Sequence, residues 1–121
     1  MGNVNILAII EPSFHPTSTI VELDDCEQLS RIYKCTIFKN IDEFLESSEL
    51  VNKCDGIIIC TPHSTHYEIG IKCIQSKLNI LMEKPMTTDV EEAKLLYEQT
   101  LNYEKIFQIN NRYQYYYYCY Y

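Results

Sequence analysis

Two short stretches of this chain place reactive side chains where a strand would end. Thr61-Pro62 closes an apolar run and is followed by His63 and by His66, four residues beyond the proline. Glu83-Lys84-Pro85 closes a second run. A lysine ammonium in a partly desolvated cleft polarises a carbonyl or steadies an alkoxide, whereas the same group at an isolated strand end is ordinarily a solvated charge. Cys60, His63 and His66 have the spacing of metal ligands. No acidic or cysteine partner is fixed nearby, so no metal is expected.

The elements that must position these residues alternate between short apolar strands and amphipathic helices, the rhythm of a parallel sheet built from βαβ units. Ile57 to Cys60, after Asp55-Gly56, is an unbroken apolar run and reads as a strand buried on both faces. Thr65 and Glu68 have capping-box spacing, and Tyr67, Ile71 and Ile74 recur on one face, predicting a helix from about Thr65 to Lys77. Asn79 to Met82 reads as the next strand, which Pro85 cannot continue because it has no N–H to donate. Thr88 and Glu91 repeat the capping-box spacing, with Val90, Ala93 and Leu96 or Tyr97 facing the core. Lys105 to Asn110 is then a third strand, parallel because a helix precedes it.

The first half of the chain supports two registers. Leu7 to Ile10 and Thr36-Ile37-Phe38 read as strands, Glu27 to Lys34 and Ile41 to Leu45 as helices, and Ile20 to Leu23 competes as a further strand.

At 121 residues with 46% hydrophobic content, the chain fits one domain with one core and leaves no room for a second catalytic domain. Seventeen acidic against ten basic residues, a net charge of -7, disfavour nucleic acid and anionic membrane as partners. No apolar run has the length of a membrane span and no signal-peptide pattern opens the chain, so a cytoplasmic protein is expected. Met1-Gly2-Asn3 invites a myristoylation reading, which Ile6 contradicts where Ser or Thr is required. The six cysteines include no Cys-x-x-Cys pair, and two lie in apolar runs, which argues against a disulfide scaffold. Residues 113–121 contain seven tyrosines without helical or strand period and are set apart from the domain at 1–112.

The block from Cys54 through Thr61-Pro62 and His66 to Glu83-Lys84-Pro85 resembles the Gfo/Idh/MocA oxidoreductases. A strand ending in Thr-Pro, a helix-start histidine, about a dozen helical residues and a strand ending in Glu-Lys-Pro occur here in the family's order, and Glu92, Ala93 and Leu96 extend the likeness, which covers roughly residues 37–112. The resemblance implies an α/β Rossmann-like parallel sheet with helices on both faces, holding NAD or NADP, followed in the family by an αβ domain that shapes the substrate site. The chain departs from the pattern twice. Its glycines are Gly2, Gly56 and Gly70, so the first strand and its glycine-rich, phosphate-holding turn are missing, and with them the middle of the sheet. Nothing of the second domain follows Arg112.

On this resemblance the cofactor-binding residues are Glu11, Thr61, Pro62, His63, His66, Glu83 and Lys84, with Lys84 also the catalytic candidate, where nicotinamide and substrate meet. Leu7-Ala-Ile-Ile-Glu-Pro is similar to the family's second strand, making Glu11 the ribose-binding acid; the rival register assigns that role to Asp24. A carboxylate there accepts from both ribose hydroxyls and repels a 2′-phosphate, favouring NAD while leaving NADP open. The plainer reading of Glu11 is an acid capping the turn at Pro12, and that of His66 is packing and capping. A small-molecule substrate is implied only once a second domain is supplied, and a homo-oligomer is compatible with the sequence. Three functions compete: an incomplete NAD(P)-dependent oxidoreductase of sugars or polyols, a non-catalytic interaction module that needs a partner, and a truncated reading of a longer gene.

Overall fold

The computed structural model describes residues 4–16, 18 and 21–111, so the tyrosine-rich stretch at 113–121 lies outside the described residues. Two compact units divide the chain, Met1–Cys54 and Asp55–Tyr121. The strands accordingly form two parallel sheets, one of two strands and one of three.

In the first unit β1 (Ala8–Ile10) pairs with β2 (Thr36–Phe38), Ala8 opposite Thr36 and Ile10 opposite Phe38. The Glu11 N–H donates to the Phe38 carbonyl at 2.9 Å and carries the pairing one residue further. Helix α1 (Cys26–Tyr33) begins at a complete capping box, the Asp25 carboxylate accepting from the Gln28 N–H while the Gln28 side chain accepts from the Asp25 N–H. Lys34 ends it in the left-handed conformation, at φ 53°. Helix α2 (Ile41–Glu46) starts at Asn40, whose side chain accepts from the Glu43 N–H at 2.9 Å. It drives Phe44 against Phe38, ring centroids 5.7 Å apart. Helix α3 (Ser48–Lys53) has no clear signal in the sequence.

The competing strand at Ile20 to Leu23 does not form over its described residues, Val21, Glu22 and Leu23, which are exposed and outside any strand. The partner that such a strand would need is taken, since α1 leads into β2 and β2 pairs with β1. The loop is instead tied back through the Cys26 N–H, which donates to the Phe14 carbonyl at 3.1 Å.

In the second unit β3 (Ile57–Ile59), β4 (Ile80–Glu83) and β5 (Phe107–Asn110) form a parallel sheet in that order. Ile59 lies opposite Met82, and Glu83 opposite Asn110, so the carboxyl ends of all three strands are level. A 3-10 turn at His63–Thr65 runs into helix α4 (His66–Gln75), and α5 (Val90–Thr100) connects β4 to β5. The core of this unit is Ile59, Cys73, Ile80, Met82 and Leu96. Gly70 lets α4 approach so closely that a Cβ there would stand 2.9 Å from the Met82 methyl and 3.4 Å from a Leu96 methyl.

Four local expectations are corrected. Thr65 does not cap α4, because its backbone continues the 3-10 turn in a helical conformation rather than extending as a cap must. The cap of α5 is Asp89, not Thr88; its carboxylate accepts from the N–H groups of Glu91 and Glu92 at 2.9 and 3.0 Å. Leu96 rather than Tyr97 faces the core, and Val90 is exposed. Strand β3 is also not buried on both faces: Ile59 is buried whereas Ile58 is 67% exposed. No helix among the described residues is long and apolar enough to cross a membrane.

Candidate functional site

The turns after β3 and β4 are neighbours, because parallel pairing in register brings Thr61-Pro62 and Glu83-Lys84-Pro85 to the same end of the same sheet. Carboxyl ends of strands are where open α/β sheets place ligands. Thr61 is half-buried and Pro62 exposed. Their turn is fixed by hydroxyls: the Thr65 Oγ1 lies 2.8 Å from both the Pro62 carbonyl and the Thr61 Oγ1, so Thr65 donates to the carbonyl and accepts from Thr61. His63 is exposed at the start of the 3-10 turn, its ring centroid 5.6 Å from that of His66.

His66 stands apart from the other candidates because its side chain is entirely buried. Its Nδ1 lies 2.8 Å from the Pro85 carbonyl oxygen and its Nε2 3.0 Å from that of Thr61. With both ring nitrogens engaged by backbone it neither reaches solvent nor offers a free ligand atom. Among the described residues no group of three or more His, Cys, Asp or Glu side chains could hold a metal ion.

The second turn carries the charge. Lys84 is exposed and forms no ion pair among the described residues. The Lys84-Pro85 peptide bond is cis. Half-buried Glu83 accepts from the Asn110 side-chain amide through its Oε1. Cys60 is exposed, and partial desolvation of its thiol, reinforced by the Glu83 carboxylate, pushes that thiol above its ordinary value of 9.0. Asn110 is a site residue that sequence alone does not single out, although the level ends of β4 and β5 place the last residues of the two strands opposite one another.

The first unit holds a cavity of about 300 Å³ whose lining includes Glu11, Glu22 and Asp24. The two acids that competed for one role thus both line this cavity. Glu11 also fills its plainer role, its Oε1 accepting from the Ser13 N–H at 2.9 Å across the Pro12 turn. No glycine among the described residues lies between a strand and the start of the following helix, so the phosphate-holding turn has no counterpart there.

Parallel strands joined by helices, with the two candidate turns at their carboxyl ends, define a Rossmann-like α/β domain. The family profile described as "Oxidoreductase family, NAD-binding Rossmann fold" matches residues 4–111, and the chain belongs to the Gfo/Idh/MocA oxidoreductase family. It is 45% identical over 61 residues to the scyllo-inositol 2-dehydrogenase (NADP(+)) IolW of Bacillus subtilis (strain 168), covering 49% of this chain and 17% of that protein. It is 42% identical over 45 residues to the scyllo-inositol 2-dehydrogenase (NAD(+)) of the same organism, covering 37% and 13%. KijD10, a 3-ketoreductase from Actinomadura kijaniata solved with NADP and TDP-benzene, shares the fold with a TM-score of 0.66 at 18% identity, over 88% of this chain and 29% of that one. The chain spans about a fifth of the length of the curated relatives it matches.

Proposed function

We propose that this chain is the cofactor-holding part of an NAD(P)-dependent dehydrogenase that moves hydride between the nicotinamide and a hydroxyl or carbonyl carbon of a sugar or polyol. The observation that carries the reading is the pair of level turns on β3 and β4, which sets the exposed Lys84 at the carboxyl edge of the sheet. The residues fit the nicotinamide end of a dinucleotide: Thr61, Pro62 and His63 offer one wall, Glu83 and Lys84 the other. Bound there, the cofactor would supply the hydride. Lys84 would orient the substrate oxygen and oppose the negative charge that develops on it, an effect that grows as water is excluded. The proton-transfer group of the full reaction is not among these residues, and a small-molecule substrate needs a second domain.

For the adenosine ribose, Glu11 is the preferred acid and Asp24 its alternative. Carboxylates lining one cavity favour the free hydroxyls of NAD over the 2′-phosphate of NADP. Titration of the chain with NADH, followed by nicotinamide fluorescence, tests the reading. Saturable binding that weakens in Lys84→Met supports it, and no binding at millimolar cofactor overturns it.

A second reading, an interaction module completed by a partner or a second copy, draws on the exposed Ile58 in a strand expected to be covered. Light scattering during size exclusion decides it, since a folded monomer that recruits nothing excludes the module.

A further inference from the structure

The pairing of β3 with β4 brings two turns side by side, and the buried ring of His66 joins them beyond the last paired residues. One nitrogen meets the last carbonyl of the lysine-bearing turn, at Pro85, and the other meets the first carbonyl of the Thr-Pro turn, at Thr61. Both oxygens only accept, so whichever ring nitrogen carries hydrogen donates to its carbonyl, and a ring carrying two donates to both. Cys73, Met82 and Leu96 are buried apolar side chains of the same unit, and among the described residues His66 is its one buried polar side chain.

The consequence falls on Lys84. Its predecessor Glu83 is tethered through the side chain to Asn110, and its successor Pro85 is tethered through the carbonyl to His66. The lysine between them is exposed and forms no ion pair among the described residues. A charge is useful to a reaction only when its position is held within a fraction of an ångström, and that precision comes from supporting hydrogen bonds, not from the charged group itself. The Thr-Pro turn is independently held by Thr65, so it gives the histidine a fixed point from which to locate the second turn.

We infer that His66 is a positioning residue: by linking the Thr61 and Pro85 carbonyls through one buried ring, it sets the distance between the two turns and thereby the place of Lys84. The inference rests on the dinucleotide reading above, because the geometry it fixes is that of the nicotinamide end. ADP-ribose lacks the nicotinamide and serves as the control ligand.

The experiment compares NADH and ADP-ribose affinities for the wild-type chain, His66→Phe, which keeps a ring and removes both nitrogens, and His66→Gln, which restores an amide donor. NADH should bind His66→Phe about tenfold more weakly, as expected for loss of one to two hydrogen bonds, with His66→Gln recovering part of the loss and ADP-ribose affinity undiminished in both. Parallel losses for both ligands would mean a structural role alone and would overturn the inference, as would unchanged NADH affinity in His66→Phe. Should neither variant fold, the wild-type chain decides: the His66 ring N–H resonance should move on adding NADH and stay in place on adding ADP-ribose, and any other pattern overturns the proposal. A wild-type chain that binds neither nucleotide fails the dinucleotide reading first and removes this inference with it, an outcome separate from a wild type that binds NADH without needing His66.

Discussion

Asn79 precedes β4 and holds the beginnings of all three strands of its sheet. Its backbone carbonyl accepts from the Ile57 N–H at 2.8 Å at the head of β3, its side-chain amide donates to the Asp55 carbonyl, and its Oδ1 accepts from the Ile106 N–H at 3.1 Å ahead of β5. Asn79→Ala removes both side-chain bonds and leaves the backbone one. At about 1 kcal/mol net for each bond in a half-buried setting, the expected loss is about 2 kcal/mol. For a chain of this size that lowers the melting temperature by about 8 °C, at about 4 °C per kcal/mol. Asn79→Asp should cost more, because it keeps the acceptor for Ile106 but turns a carboxylate on the Asp55 carbonyl oxygen. Urea unfolding followed by circular dichroism reads the effect as a lower midpoint with the slope unchanged. The exposed Asn102 provides the control, and its alanine variant should be indistinguishable from wild type. A midpoint for Asn79→Ala equal to that of Asn102→Ala would refute the claim that this side chain sets the strands' alignment.

Leu96→Ala empties a site with no solvent exposure against α4, and calorimetry should record a loss of about 3 kcal/mol, with Leu96→Met costing far less. Burial raises the thiols of Cys26 and Cys35 above 9.0 and the phenol of Tyr103 above 10.0. The folded chain therefore keeps protons that the unfolded chain has already released, so this stability is whole below those values and lost as pH climbs through them. Urea midpoints that fail to fall beyond pH 9.0 would contradict that burial. Glu11→Ser should relax the preference for NADH over NADPH about tenfold, the scale of one carboxylate facing a phosphate across a partly wet cleft. If Asp24→Ser does so and Glu11→Ser does not, the ribose-binding acid is Asp24.

Most elements are legible in the sequence because their signals are local. The Ile57 to Cys60 and Asn79 to Met82 runs are apolar enough, and Thr61-Pro62 and Pro85 abrupt enough, that strands and ends follow from side-chain type and missing N–H donors. Pattern alone misassigns cap positions. Thr88 and Asp89 both suit a helix start, and only the extended backbone at Asp89 decides between them. The Asp25-Gln28 box lies beside the rival strand reading of Ile20 to Leu23, and the extended backbone at Asp25 that caps α1 decides between the two registers. At the site, family likeness and strand order bring the two turns together. They do not show that His66 is buried between two carbonyls, since a histidine beside a helix start reads equally as surface, cap or ligand until its neighbours across the sheet are known. Asn110 and Asn79 are hidden for the same reason: each acts on residues more than twenty positions away.

The β1–β2 pair consists of two three-residue strands that rest on α2 through Phe38 and Phe44, a smaller support than the buried core that β3, β4 and β5 share with α4 and α5. Opening is therefore uneven along the chain, and the acid-bearing loop belongs to the part that exchanges its amides and meets proteases first. A ligand gripping Glu11 would hold the strand pair closed as it binds, and so would slow amide exchange in β1 and β2 more than in the three-stranded sheet.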